Sequence, residues 1–291
     1  MIVKTIISTS LALLAFAANS VLCRLALGGQ VIDASSFTII RLLSGTLALF
    51  VIFGIVGRHS DTPHRGSWFS SIMLFVYAIT FSYAYISLDT ATGALILFGV
   101  VQISIITLSL ISGSRLHVAE WVGVSIAFAG FVYLLLPGVS TPSVKGFVLM
   151  TLAGVAWGIY TLRGRGAGSP LADTCYNFLR TTPIVLILGI VSVQYAHYSL
   201  EGVALAVISG AVASGVGYTI WYIALTGLNA TQAAVVQLLV PVIAALGGIV
   251  FVAEAVSIRL VLSASMILGG ILVVILGRYY FIHLKPTKKE S

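Results

Sequence analysis

Ile243-Ala244-Ala245-Leu246-Gly247-Gly248-Ile249-Val250-Phe251-Val252 runs without a single polar side chain. A half-buried strand alternates apolar with polar residues, and a strand of a membrane β-barrel does so over about ten residues. This run does not alternate. Extended back to Thr231 and forward to Ala253, it reaches the roughly 20 residues that an α-helix needs to cross a hydrocarbon layer about 30 Å thick. Glu254 ends it.

Working outward, runs of the same kind recur along the whole chain, at 5–27, 36–57, 68–88, 91–112, 118–137, 146–162, 175–195, 203–226, 231–253 and 258–282. Of the 291 residues 59% are hydrophobic and 8% charged, whereas soluble domains carry about 25% charged residues. So little charge cannot cover a soluble globule. The bilayer is the solvent, and the expected fold is an all-α membrane protein of about ten transmembrane helices. Pro63, Pro137, Pro142 and Pro170 fall in or beside the breaks. Pro183 and Pro241 lie inside spans, where they kink the helix or release a backbone carbonyl. The N-terminal stretch imitates a secretory signal, with Lys4, an apolar run and a cleavage-like Ala15-Phe16-Ala17. The run continues to Leu27, so it reads as a retained helix.

The net charge of +7 comes from 15 Lys and Arg against 8 Asp and Glu, scattered singly among apolar runs. That pattern speaks of membrane orientation rather than nucleic acid. With a cytoplasmic N-terminus, the cytoplasmic side holds Lys4, Arg58, Arg65, Arg115, Arg163, Arg165, Arg278, Lys285, Lys288 and Lys289. The other side holds Arg24, Lys145 and Arg259, and Arg41 and Arg180 lie within spans. The positive-inside rule therefore places both termini in the cytoplasm, in what is expected to be a bacterial inner (plasma) membrane. Cys23 and Cys175 both sit in apolar runs, so no disulfide framework, metal site or cofactor is expected.

Laid on the first half at an offset of 139, the second half matches Arg24 with Arg163 and Arg41 with Arg180; one inserted residue later, Leu88-Asp89 meets Leu228-Asn229 and Gly130 meets Gly270. The expected organisation is a five-helix repeat over 1–140, a second over 141–282, and a basic tail at 283–291. Five is odd, so the second repeat enters the membrane from the opposite side. Inverted repeats of that kind are a transporter architecture, with the solute near the midplane between the halves.

At this point the chain resembles the EamA-type transporters of the drug/metabolite transporter superfamily, ten-helix proteins made of two five-helix repeats. The resemblance rests on Ser36-Phe37-Thr38-Ile39-Ile40-Arg41 and Cys175-Tyr176-Asn177-Phe178-Leu179-Arg180, where the family places an Arg early in the second helix of each repeat. It rests also on Leu228-Asn229-Ala230-Thr231-Gln232-Ala233-Ala234, leading to Pro241 and then Ala253-Glu254. The chain departs from the pattern at Val101, where the first repeat often has Pro, and at Ser114, where it often has Glu. The resemblance implies export or exchange of small metabolites, amino acids among them.

The residues offer candidates for a solute path. Tyr77, Phe81 and Tyr85 share a helix face, as do Tyr218, Trp221 and Tyr222, with Trp157 and Tyr160 on the sixth span. Lipid contact or an interfacial belt is the competing account, and Tyr85 is assigned to it. Asn19, Gln102 and Gln237 are uncharged polar residues in mid-span, fit either for a cavity wall or for an interhelical hydrogen bond. Arg41 and Arg180 lie about one and a half turns inside their helices, where their stems can snorkel to the interface as structural charges. Glu254, at a span end, is a candidate for proton coupling or simply faces water beside Arg259, and Asp89, Glu120 and Asp173 read as loop or helix-start acids.

The resulting expectation is a carrier exporting or exchanging a neutral or zwitterionic organic metabolite, such as an amino acid, by alternating access. A membrane-embedded enzyme is the rival from another class, but no HExxH, paired acids or GxSxG motif is present. A non-transporting receptor or scaffold is the other alternative. Expected partners are a small-molecule solute and the lipid bilayer, with no nucleic acid, and nothing in the residues specifies an oligomeric state.

Overall fold

The computed structural model describes residues 2–56, 66–111, 117–136, 141–164, 169–228 and 230–283. Among these, ten helical stretches are long and apolar enough to cross a membrane. The helices are α1 (Ile2–Gly28), α2 (Ala34–Val56), α3 (Trp68–Tyr85), α4 (Thr90–Ile111), α5 (Val118–Leu135), α6 (Val144–Gly164) and α7 (Pro170–Ser192). After them come α8 (Leu200–Val207), α9 (Gly217–Leu225), α10 (Ala230–Gln237), α11 (Val240–Val252) and α12 (Ile258–His283). Positions Arg58, His59, Arg65, Arg115, Arg165 and Asn229 and the basic tail past His283 lie outside the described residues.

Local chemistry sets the starts. Ser67 accepts from Ser70 N (3.1 Å) ahead of α3, and Ser199 accepts from Gly202 N (3.0 Å) ahead of α8, each satisfying an orphan donor of the first turn. Glu120 accepts from His117 N (2.7 Å) at the start of α5. The seventh span begins at Pro170 rather than at 175, because Pro fits the first helical position, where its missing N–H has no intrahelical partner to lose.

Two spans are interrupted. Between α8 and α9 the chain makes π-type turns over Ile208–Val216, a stretch of small residues whose backbone comes hard against α2: a Cβ on Gly210 would collide with the Arg41 carbonyl oxygen. Between α10 and α11 the helix breaks just before Pro241, and Leu238 and Leu239 fall back on three-residue bonds to Val235 and Val236 (both 3.1 Å). Pro183, by contrast, is carried within an unbroken α7.

Pairing of the helices follows a pattern. α1 packs on α9 and α11, while α6 packs on α3 and α4; α2 meets α7, and α5 meets α12. α2 also packs on the π segment, as α7 does on α3. Exchanging the first five spans for the last five leaves this pairing unchanged. At the α5–α12 crossing a Cβ on Gly123 or Gly270 would come within 2.5 Å of the other's carbonyl oxygen, so only glycine permits that approach. The hydrocarbon-facing side chains, such as Ile55, Phe128, Ile190 and Val250, are apolar. The most enclosed span is α4, whose 72% burial explains why its sequence is apolar all round.

Candidate functional site

The start of α1 and the end of α12 define one face, to which the ends of α2, α6 and α9 and the starts of α3, α7 and α10 also belong. A cavity of about 630 Å³ opens there, in the range of small-molecule sites. Its wall holds Trp157 and Tyr160 from α6, Tyr218, Trp221 and Tyr222 from α9, and Gln237 from α10. The structure thus brings together six of the sequence candidates. Trp157 and Tyr160 stack (5.3 Å between ring centroids, 25° between planes), and Trp157 lies 5.2 Å from Tyr218. Gln237 donates Nε2 to its own helix at Ala233 O (3.0 Å).

The mouth is built by residues outside the expected solute path, among them Asp173, the helix-start acid of α7. Asp173 and Asn177, one turn apart on α7, accept from Gly66 N and Ser67 N (both 2.9 Å), holding the start of α3 where Gly66 takes a positive φ of 64°. Thr174, between them, shares a hydrogen bond with the Tyr222 hydroxyl (2.7 Å). Their signal was the four-residue spacing Asp173–Asn177, which puts both acceptors on one face, but it shows only if Asp173 is counted within the helix.

Beyond Trp157 and Tyr218 lies a second, small chamber of about 20 Å³, lined also by Phe16, Asn19, Tyr77, Phe81 and Ser214. Asn19 and Tyr77 belong to one polar network spanning both halves. Ser209 donates to Asn19 Oδ1 (2.6 Å), Asn19 Nδ2 donates to the Tyr77 hydroxyl (3.4 Å), and Arg41 Nη2 donates to the same hydroxyl (3.1 Å). Arg41 does not snorkel. It is 2% exposed, on a helix packed against α3, α7 and the π segment, with its guanidinium over the Tyr77 and Phe81 rings. Arg180, its counterpart by sequence offset, is half-buried on α7. Tyr85 is a core residue rather than an interfacial one, fully buried against Gly93, where a side chain would strike its ring. Gln102 is buried on α4 and is not in the lining of either cavity.

The opposite face is closed by charge. Arg24 on α1 pairs with Glu254 (2.9 Å) and Asp89 (3.2 Å) and donates to the Tyr85 carbonyl (3.2 Å). The other Glu254 oxygen accepts from Thr90 N (2.8 Å), capping α4. Glu254 reaches this position because Ala253 turns the chain in the left-handed conformation (φ 55°, ψ 32°) at the end of α11. One carboxylate thus ties α1, α4 and α11 together, rather than standing in water beside Arg259, whose guanidinium binds Leu136 O and Thr141. A vestibule of about 190 Å³ lies outside this knot.

Comparison with known proteins fits this geometry. The model of the EamA-like transporter family matches residues 144–276. An uncharacterized protein of Pseudomonas aeruginosa is 47% identical over 275 residues, 94% of this chain and 96% of that one. An uncharacterized transporter of Archaeoglobus fulgidus is 27% identical over 197 residues, 63% of this chain and 68% of that one. A crystal structure of another protein superposes with a TM-score of 0.63 over 92% of this chain and 98% of that one, at 20% identity, which shows a shared fold.

Proposed function

The chain belongs to the EamA-like transporter family, and on that premise we propose that it moves a neutral or zwitterionic, partly apolar metabolite, such as an amino acid, by alternating access between two inverted five-helix repeats. The observation that carries this reading is the 630 Å³ cavity, which opens at the terminal face and does not reach the Arg24–Glu254–Asp89 knot. A path open at one face and latched at the other is what a carrier in one of its two states requires. The helix pairing that survives exchange of the halves supports the repeats, over 1–140 and 141–282.

The chemistry of the wall supports the solute class. Rings cover an apolar body, while Asn177, Thr174 and Gln237 offer polar groups near the mouth. With the termini in the cytoplasm of a bacterial cell, as the positive-inside count has them, the cavity loads or releases solute on the cytoplasmic side. The knot engages Glu254 in structure, so the reading is facilitated transport or exchange driven by the solute's own gradient, with Glu254 as the residue through which proton coupling would act.

Flux of amino acids by the purified protein in liposomes tests this. Trp221→Ala is expected to impair transport, and Gln102→Ala, outside the cavity lining, to leave it nearly unchanged. Cysteine introduced near His59 should resist an impermeant reagent on intact cells and one near Ser199 should react; the reverse pattern would overturn the orientation. Uphill flux driven by a pH gradient and lost in Glu254→Gln would replace the facilitated mechanism with proton coupling.

A further inference from the structure

Inside the bundle a cation stands without a partner acid among the described residues. Arg41 is fully buried, and among the described residues no carboxylate lies within ion-pair distance of it. Its Cζ lies 5.3 Å from the Tyr77 ring centroid and 5.0 Å from that of Phe81, and its Nη1 is buried without a hydrogen bond among the described residues. Ring faces attract a guanidinium but replace a counter-charge poorly once water is gone. The Tyr77 hydroxyl accepts from both Arg41 and Asn19, which leaves its own O–H to donate. In the same small chamber the Ser214 hydroxyl is buried and also lacks a hydrogen bond among the described residues. A guanidinium thus presses on the chamber wall formed by Tyr77 and Phe81, hydroxyl donors line the chamber, and no acid does.

Resting on the transporter reading above, we infer that the Tyr77 and Ser214 hydroxyls, with the Arg41 charge behind the Tyr77 and Phe81 rings, form a carboxylate subsite: the solute's carboxylate seats in the chamber on the two hydroxyls while its apolar body stays among the rings of the large cavity. The phenol and the Ser214 hydroxyl supply donors to the carboxylate, and the guanidinium, which donates to the Tyr77 hydroxyl, strengthens that phenol as a donor and supplies the counter-charge. A dianion would bring a second charge into a chamber that, beyond Asn19 and its hydroxyls, is walled by apolar side chains such as Phe16, Leu97 and Phe98. An ammonium finds no acid in the chamber, so the carboxylate end is recognised and the amine is dispensable. The chamber has room for about one water. Trp157 and Tyr218, which line both spaces, stand between chamber and cavity, so the carboxylate enters as those rings part.

The test uses the full-length protein and four probes that share one benzyl body: L-phenylalanine, 3-phenylpropanoate, and the carboxamide of each. Binding is followed by tryptophan fluorescence and flux in liposomes. Both acids should bind about 10- to 100-fold more tightly than their amides, the span of a charge-assisted hydrogen bond. Arg41→Gln should erase that difference, Arg41→Lys should keep part of it, and Tyr77→Phe should reduce it. Trp221→Ala should weaken acids and amides alike. If Arg41→Gln fails to reach the membrane, the lysine and phenylalanine variants decide the matter. Equal binding of acids and amides, or a preference that survives in the Arg41 variants, overturns the subsite and leaves the transporter reading standing. Acetate or inorganic phosphate competing as well as 3-phenylpropanoate also overturns it, as a generic anion site. Absence of binding and flux for all four probes overturns both the subsite and the cavity as a site for a partly apolar solute.

Discussion

In the first half, α3 and α4 each run unbroken; in the second, the spans that hold the corresponding places in the packing are interrupted, one by the π segment Ile208–Val216 and the other by the break before Pro241. The large cavity follows that difference. Apart from Gly66, Ser67 and Ser70 at the mouth, its entire lining comes from the second half. The first half supplies what is rigid and charged: buried Arg41, the Tyr77–Phe81–Tyr85 face behind the small chamber, and Arg24 in the knot. Irregular backbone is tolerated at membrane depth where it borders a cavity or is buried in protein, and here the irregular half forms the wall while the regular half forms the frame.

The largest effect should come from removing one of the two rings shared by both spaces. Trp157→Ala strips contacts to Tyr77 (4.8 Å), Tyr160 and Tyr218 and should cost about 3–5 kcal/mol on unfolding in mixed micelles. Phe128→Ala, on the lipid-facing side of α5, should stay within about 0.5 kcal/mol. Similar losses for both would mean that the second-half rings are not a packed wall.

Breaking the knot should be the next largest. Arg24→Ala or Glu254→Gln removes a partly buried charge-assisted hydrogen bond, about 1.5–3 kcal/mol. A cysteine at Thr92 in the outer vestibule should then react faster with a thiol reagent, and one at Thr226 in the large cavity more slowly. If both rates rise, the variant has loosened the bundle instead of shifting it between two states.

Acid should act at the junction of the halves on the knot's face. Asp33 accepts from Ser36 N (2.9 Å) and His197 N (3.0 Å), just before α2 begins. Burial alone would raise its pKa, but the bonds from Ser36, His197 and Ser35 outweigh burial and hold the carboxyl below the ordinary aspartate range. A lowered folded value stabilises fully above the unfolded pKa, about 3.9, and is lost as pH falls through the folded one. Wild type should therefore lose stability below about pH 4 more steeply than Asp33→Asn, as read by thermal unfolding across pH. Equal slopes would show that this junction carries no such linkage.

The smallest effect is a gain. Ala253 pays the left-handed strain that a glycine avoids, so Ala253→Gly should raise stability by up to about 1 kcal/mol while leaving the Arg24–Glu254 pair intact. A lower melting temperature would mean that the turn is not strained.

Much of the architecture was legible in the chain because its signals are local. A run such as Ile243–Val252 excludes a soluble surface and an alternating strand by composition and period alone. Pro241 announced its break by lacking an N–H. The aromatic candidates on the sixth and eighth spans were visible as i, i+3 and i+4 sets, and the structure does place Trp157, Tyr160, Tyr218, Trp221 and Tyr222 on one cavity. The π segment was not legible, because Gly, Ala and Ser in an apolar run satisfy an α-helix equally well, and only the close approach of α2 selects the wider turn.

What the sequence determined by itself was therefore the solvent, the number of spans and the faces of the aromatic stripes, all set by residue composition and helical period. Tertiary structure decided the roles of the charges. Arg41 is as far inside its helix as a snorkelling arginine would be, and Glu254 sits where a hydrated acid would sit. The packing of α3, α7 and the π segment around α2 takes the first out of reach of water, and the left-handed turn at Ala253 brings the second to Arg24. A charge's energy depends on what surrounds it in space, and those neighbours lie up to 230 residues away along the chain.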